Sequence, residues 1–258
     1  MSRILGALSL SLFAASCVTS PGPASTTGSL TATSAYVFRG VPQTDKSALW
    51  ADMGVSAEDG NGGTWTGYVW ANMNLTSDTG DAVFPDGSGN KFSEIDLIGS
   101  YARELGSLAA EIGVVNYSFP NIGGASTTEL YGALGASAGP LDLGFTAYLD
   151  VEEVDGLYLN GSVGHTREVA DDVTADFGLS VGWMDEDQSE VYFGAMDASG
   201  ISDLAASAGL SWAWTQATTV RLGASWVSVL DSELEDALGS AGIDDNTAFA
   251  TLGIHHEM

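Results

Sequence analysis

The feature that most constrains this chain is a period-two alternation of apolar and polar residues from about residue 29 onward. Leu49, Met53 and Val55, for example, fall on one face of an extended segment, whereas Asp52 falls on the other. Each such segment has about 9–13 residues, the length of a tilted strand that crosses a bilayer. We predict about twelve strands, at residues 29–39, 48–57, 64–75, 92–102, 107–119, 128–138, 141–149, 156–164, 173–184, 204–214, 218–230 and 247–257.

The connections between these predicted strands alternate between short and long. Tight turns at residues 59–63, 103–106 and 139–140 occupy every second connection, and the long loops lie between them. The stretch 167–172 is longer than a tight turn and departs from the alternation. Sorted connections with an even strand number are typical of bacterial outer-membrane barrels. The sequence therefore predicts an all-β fold: a single antiparallel transmembrane β-barrel with short periplasmic turns and long acidic extracellular loops.

Charge and composition narrow the function classes. The chain has 34 Asp and Glu against 7 Lys and Arg, a formal net charge of -27. This charge excludes nucleic acid as a partner, because phosphate binding needs a basic surface. Only 16% of the residues are charged, whereas water-soluble surfaces carry about 25–35%. We interpret the chain as a nearly uncharged, lipid-facing belt with an acidic rim at its long loops.

The charged residues inside the predicted strands indicate which face avoids lipid. Each falls on the less apolar face of its strand, beside Ser, Thr, Gly or Tyr. The opposite face is apolar and carries tryptophans, as expected for lipid contact with an aromatic girdle. We therefore predict that the lumen is lined by Arg39, Asp52, Glu94, Asp96, Glu111, Glu129, Asp142, Asp176 and Arg221.

The sequence is compatible with two arrangements of these lumen charges. Arg39 and Arg221 lie on predicted strands close to the barrel seam, whereas four of the acids lie on the fourth to sixth strands. Basic and acidic walls would then face each other, and their transverse field could select solutes. In the other arrangement, the charged groups hydrogen-bond to one another and fill the interior, as in small barrels.

The N-terminus has the layout of a bacterial secretory signal. Residues 1–16 contain a basic start, an apolar run and small residues at the end, which predicts a cleaved signal peptide. Residues 12–17 resemble a lipobox, in which Cys17 would be lipidated, and ordinary cleavage nearby is the alternative. Residues 17–28 then form a flexible tether, and residues 29–258 form the barrel. We expect export to the bacterial outer membrane.

A sequence motif near the start of the barrel resembles a known family. Residues 34–40, followed by 43–45, resemble the opening motif of the TorF-type porins, a family of bacterial outer-membrane proteins. The later signatures of that family are similar, in the same order, to residues 94–97, 116–120 and 128–131. The resemblance implies an outer-membrane β-barrel with a porin role, and it implies no catalytic residues.

The sequence offers no pattern that points to catalysis or to a cofactor. It has no nucleophile elbow. The G-x-S-x-G stretches at residues 135–139 and 178–182 lie in or at the end of the predicted strands 128–138 and 173–184, whereas many serine hydrolases carry this motif at a sharp strand-to-helix turn. His255 and His256 are adjacent in a predicted strand, so they point to opposite faces and are poorly placed to share a metal ion. The acidic stretches 150–155 and 185–190 lack the register of an EF-hand, so we interpret them as solvated acidic loops, with weak association of divalent cations as the alternative.

The leading hypothesis is a passive channel for small solutes, with a preference for cations caused by the acidic loops. The alternative is a non-conducting surface or structural barrel whose loops bind a partner or divalent ions. A barrel that hydrolyses lipids is a lesser alternative. Outer-membrane lipid and lipopolysaccharide are the expected surroundings in each case.

Overall fold

The computed structural model describes residues 24–124 and 126–258, which form a closed antiparallel barrel of twelve strands and confirm the predicted fold class. The predicted signal peptide, Cys17 and the first part of the predicted tether lie outside the described residues. In chain order the elements are β1 (Ser25–Thr33), β2 (Tyr36–Phe38), β3 (Val41–Thr44), β4 (Ala48–Glu58), β5 (Gly63–Asn74), β6 (Lys91–Leu105), β7 (Leu108–Ser118), β8 (Thr127–Ala138), β9 (Leu141–Asp150), β10 (Leu157–Ala170), β11 (Val173–Met184), α1 (Glu186–Phe193), β12 (Gly200–Ala213), β13 (Thr218–Val229), α2 (Ser232–Ala241) and β14 (Asn246–Glu257).

The barrel closes through its first strand. Leu30 of β1 lies opposite Ile254 of β14 on one side and opposite Ala51 of β4 on the other. Closure leaves no strand edge in the ring, which matters because lipid cannot hydrogen-bond to free backbone groups. β1 begins at Ser25, inside the range 17–28 that we predicted as a tether. β2 and β3 are not part of the ring and pair with each other.

The connections are sorted between the two ends of the barrel, as predicted. The turn end carries the connections 59–62, 106–107, 139–140, 171–172 and 214–217. The loop end carries 34–47, 75–90, 119–126, 151–156, 185–199 and 230–245, with α1 and α2 in the last two. No helix among the described residues is long and apolar enough to span a membrane.

The connection between β10 and β11 is a tight turn, so it fits the alternation of short and long connections after all. We predicted that β10 ends near residue 164 and that the stretch 167–172 belongs to a longer connection. Instead β10 continues to Ala170, so only residues 171–172 connect it to β11. Asp172 has a φ of 59°, which suits a tight turn. The charged residues Arg167 and Glu168 suggested a loop, but they are the exposed end of a strand.

The outer face of the barrel is apolar along its length. Ile112 of β7 is 66% exposed and Trp65 of β5 is 60% exposed. In a water-soluble protein such a surface would be unfavourable, whereas lipid covers it in a membrane. Other exposed apolar side chains on this face are Leu30, Met53, Leu97, Leu130, Phe145, Phe177, Leu210, Trp212, Leu222, Trp226 and Leu252.

The inner face divides into two layers. Toward the turn end, the side chains on the inward parity are small, and they include Gly135, Gly144, Ser162, Gly164, Gly178, Ser207, Gly209, Gly223 and Gly253. Toward the loop end they are large, and they include Trp50, Trp70, Tyr117, Tyr148, Tyr158, Met184 and Phe249. The lumen is therefore lined by small groups near the turns and by bulky ones near the loops.

The turn between β4 and β5 is held by one carboxylate. The backbone N–H groups of Asn61 and Gly63 donate to Asp59 Oδ1 at 2.7 and 3.0 Å, and the Tyr101 hydroxyl donates to Oδ2 at 2.8 Å. These bonds favour the charged carboxylate and hold the pKa of Asp59 below its ordinary value.

We expect the pH dependence of this turn to follow from that lowered pKa. A depressed folded-state pKa means that the bonds are fully present above the unfolded pKa of about 3.9 and are lost as the pH falls through the lower, folded value. Tyr101→Phe removes one donor and should move the titration midpoint of Asp59 upward. Carboxyl-carbon NMR titration of the wild type and the variant checks both statements; a midpoint that does not change would contradict them.

Candidate functional site

The first long connection, residues 34–47, folds into the barrel and is called the inner hairpin below. We predicted a first strand over 29–39, but β1 ends at Thr33 and the chain then turns inward. Arg39 and Gly40 form the tip, with φ values of 48° and 90° in the left-handed region. These values reverse the chain, so residues 39 and 40 cannot continue a strand.

One side of the inner hairpin packs on aromatic residues. The Tyr36 ring lies 5.9 Å from that of Trp50, 5.5 Å from that of Trp70 and 6.0 Å from that of Phe84, measured between centroids. Such tilted and edge-on pairs add to the stabilisation that comes from buried area. The backbone N–H of Phe84 also donates to the Gln43 carbonyl at 3.0 Å. The 75–90 loop thus covers the outer edge of the inner hairpin.

The tip places Arg39 in a buried site. Arg39 Nη1 and Nη2 donate to Glu129 Oε1 and Oε2 at 2.7 and 2.6 Å, and Nη1 also donates to Gln188 Oε1 at 3.0 Å. The side chains of Arg39 and Glu129 are 5% and 0% exposed. A bidentate guanidinium–carboxylate pair is strong and directional.

Aromatic rings surround the guanidinium. The Arg39 Cζ lies 4.3 Å from the ring centroid of Tyr158, 5.1 Å from that of Tyr148 and 5.7 Å from that of Tyr192. Phe38, next to Arg39 in the hairpin, lies at 4.8 Å. Each ring within about 6 Å can attract the cation through its π face. We call Glu129, Gln188, Tyr148, Tyr158 and Tyr192 the Arg39 cage.

The ion pair determines where the hairpin lies more than it adds to net stability. Withdrawing two charged groups from water has an unfavourable desolvation free energy, and the attraction between the two groups only offsets it. Removing one partner is different, because the other is then left charged and buried, and the loss is about 3–5 kcal/mol. The arrangement therefore favours a hairpin that is docked with Arg39 next to Glu129.

Two more predicted lumen acids lie in the loop-end layer. Glu94 and Asp96 of β6 are 3% and 1% exposed, and the Tyr36 hydroxyl hydrogen-bonds to Glu94. Asp96 Oδ1 has no hydrogen-bond partner among the described residues. Acids and arginine thus meet in this layer, and Arg39 does not face them from an opposite wall. The second arrangement from the sequence, in which charges hydrogen-bond and fill the interior, describes this layer.

Three further predicted acids line the turn-end layer. Ser29 donates to Asp52, and the Tyr131 hydroxyl donates to Glu111 at 2.6 Å. Asp142 and Asp52 are partly exposed on the inward face. Glu111 is buried beside Tyr131, whereas water can reach the partly exposed Asp52 and Asp142.

The remaining two predicted residues, Asp176 and Arg221, lie in the same layer and interact electrostatically without forming a salt bridge. Arg221 of β13 lies opposite Ser211 and Gly253, and it forms no salt bridge with any described residue. The Asp176 carboxylate lies over Gly209, where a Cβ atom would come within 2.6 Å of it. This glycine therefore makes room for the acid on the lumen wall.

Sequence reasoning missed part of the Arg39 cage. Gln188 and Tyr192 lie on α1, in a long loop that we interpreted as a solvated acidic segment. Tyr148 and Tyr158 fall on the inward parity of β9 and β10, and a large ring on a polar face could have signalled packing inside the lumen. Within the described residues, no group of three or more His, Cys, Asp and Glu could hold a metal ion.

Comparison with known proteins identifies related folds. No curated protein matches the chain. The structure of an outer-membrane channel from Pseudomonas putida F1 aligns with a TM-score of 0.56 and 11% identity, over 93% of this chain and 98% of that one. The NanC porin aligns with a TM-score of 0.51 and 12% identity, over 91% of this chain and 99% of that one. At such identities the likeness concerns the fold alone.

A family model covers most of the sequence. The model, described as a bacterial protein of unknown function (Gcw_chp), matches residues 18–220. The chain therefore belongs to the Gcw_chp family.

Proposed function

We propose that this protein is an outer-membrane channel that passes small solutes, prefers cations, and is narrowed by the inner hairpin. The observation that carries the proposal is the turn-end layer of the lumen. Its wall is made largely of Gly, Ser and Thr, with the partly exposed carboxylates of Asp52, Asp142 and Asp176, inside a closed barrel of twelve strands formed by the described residues. Small polar walls leave space that water and solutes can occupy, whereas a purely structural barrel would fill it with side chains.

The cation preference follows from charge. The chain carries a net charge of -27, and both the lumen wall and the loop end are acidic. Fixed negative charge at a mouth raises the local concentration of cations. The exposed acids of the loop end include Asp78, Asp81, Asp86, Glu152, Glu153, Asp155, Glu186, Asp187, Glu190 and Asp244.

The resemblance to the TorF-type porins supports the same proposal. The motif that carries this resemblance, residues 34–40, is the first half of the inner hairpin and includes its tip. A motif at the segment that narrows the lumen suits a porin, since that segment would control passage.

Planar-bilayer recording of the refolded protein tests the proposal. The wild type should conduct, and a salt gradient should give a reversal potential of the sign expected for cations. A matched variant replaces residues 36–44 by a short Gly-Ser linker and should conduct more. If neither protein conducts at any voltage, the channel proposal is wrong.

A non-conducting barrel is the second candidate, and the filled loop-end layer favours it. It predicts a silent wild type beside a conducting hairpin-deletion variant. Recordings of the two proteins in one series therefore separate the candidates.

Arg221 should influence ion selectivity, because its positive charge lies in the lumen without an ion pair to a described residue. Arg221→Ala should raise the ratio of cation to anion permeability by about two- to five-fold, as expected for removing one nearby charge in a watery pore. Reversal potentials in a salt gradient measure this ratio. Arg103→Ala is the matched control, because Arg103 is exposed at the turn end of β6 and lies on its outer face. Equal shifts in both variants would contradict a lumen role for Arg221.

A further inference from the structure

The guanidinium of Arg39 is held as a protein holds a ligand. It receives a carboxylate in bidentate geometry, an amide oxygen and the faces of three tyrosine rings. A planar guanidinium suits this set, because its fork matches two carboxylate oxygens and its faces stack on rings. An ammonium group offers neither the fork nor the flat face.

The Arg39 cage is fixed by contacts that do not involve the inner hairpin. The Tyr117 hydroxyl donates to Glu129 at 2.9 Å. Gln188 Nε2 donates to the Gly156 carbonyl at 3.3 Å, and the Tyr158 hydroxyl donates to Asp203 at 3.1 Å. The site would therefore keep its shape if Arg39 left it, which is the usual condition for a binding site.

The occupant is less well fixed than the site. Arg39 is a non-glycine residue with a φ of 48°, a backbone conformation that surrounding contacts must hold. Glu129, by contrast, is fully buried and needs a cation next to it whenever the hairpin is displaced. Displacement of Arg39 therefore requires a second cation to take its place.

We propose that the Arg39 cage is a binding site for small guanidinium-bearing cations, which Arg39 fills from within the chain until such a solute displaces it. The claim that such cations are solutes of the channel rests on the proposed function. The claim that the Arg39 cage binds them does not depend on conduction.

Binding to the refolded Arg39→Ala variant tests the site directly. Guanidinium chloride at millimolar concentration is the probe, and isothermal titration calorimetry or saturation-transfer NMR is the readout. The variant should bind guanidinium saturably, with a dissociation constant in the millimolar range. The wild type, whose cage is filled, should bind at least about tenfold more weakly, since an occupied site lowers apparent affinity.

Three controls make the result specific. Urea is the neutral isostere of guanidinium and should not bind. Arg39→Ala combined with Glu129→Gln should lose the binding, and Arg39→Lys should show less than Arg39→Ala. Circular dichroism and heat-modified gel migration verify that each variant has a folded barrel. Equal binding in the single and double variants, or equal binding of urea, would overturn the proposal.

Conductance then separates this inference from the proposed function. In bilayers, guanidinium at about a hundred millimolar, enough to compete with Arg39 at the wild type's weaker affinity, should raise the open fraction of the wild type. Sodium at matched ionic strength and urea should not. Saturable binding in a protein that never conducts would support the site and reject the channel. A conducting protein whose Arg39→Ala variant binds no guanidinium would support the channel and reject the site.

Discussion

Replacing Arg39 with alanine is expected to weaken the docking of the inner hairpin and to raise the conductance of the barrel. The substitution leaves Glu129 buried without its partner, an effect of about 3–5 kcal/mol. Since 1.4 kcal/mol corresponds to a factor of ten, the undocked population should rise by about a hundredfold or more. Tyr36 and Val41 still pack inside the barrel, so the barrel itself should remain folded. Single-channel recording and hydrogen exchange of residues 36–44 measure the two effects.

Variants of the partner residue provide the controls for this prediction. Glu129→Gln keeps an acceptor for Arg39 but removes the charge. Combining it with Arg39→Ala removes the unpaired carboxylate, so the double variant should be less perturbed than the sum of the single ones. If Arg39→Ala leaves both the exchange protection of residues 36–44 and the conductance unchanged, Arg39 does not hold the hairpin.

An arginine in the middle of the outer face is expected to destabilise the folded barrel in a bilayer by about 2–4 kcal/mol. Ile112 is the best position, because it lies near the middle of β7 and is 66% exposed. The cause is the transfer of a charged group into hydrocarbon, which no nearby group of the outer face can offset. Reversible unfolding in lipid vesicles measures the loss for Ile112→Arg.

The matched control is Leu105→Arg, also on the outer face. Leu105 ends β6 at the turn end and is 57% exposed, so an arginine there can reach water. Its effect should be about 0–1 kcal/mol. If the two substitutions have equal effects, the outer face does not carry a lipid belt centred on the barrel.

The fold could be predicted from the sequence because strand geometry converts a pattern directly into faces. Alternate side chains point to opposite sides of a strand, so the polar parity of Asp52, Glu111 and Asp176 indicates the inner wall. Because short turns alternate with long loops, each strand is expected to pair with the next strand in the chain. Each of these inferences depends only on residues close to one another in the chain.

The first strand shows where this local reasoning failed. Residues 34–39 continue the period-two alternation of β1, and this pattern alone extended the predicted strand through them. Instead the chain leaves the barrel wall after Thr33 and enters the lumen, and the left-handed backbone of Arg39 and Gly40 reverses its direction there. What stabilises this turn is distant in sequence, so a local pattern could not reveal it.

The sequence by itself determined that this protein is a barrel with an apolar outer face, an acidic loop end and charges turned inward. Only the tertiary structure decided that Arg39 is paired rather than free. Its carboxylate partner lies 90 positions away and its amide partner 149 positions away, on different elements. Barrel closure brings these groups together, and a charge buried in that interior is stable only next to its counter-charge.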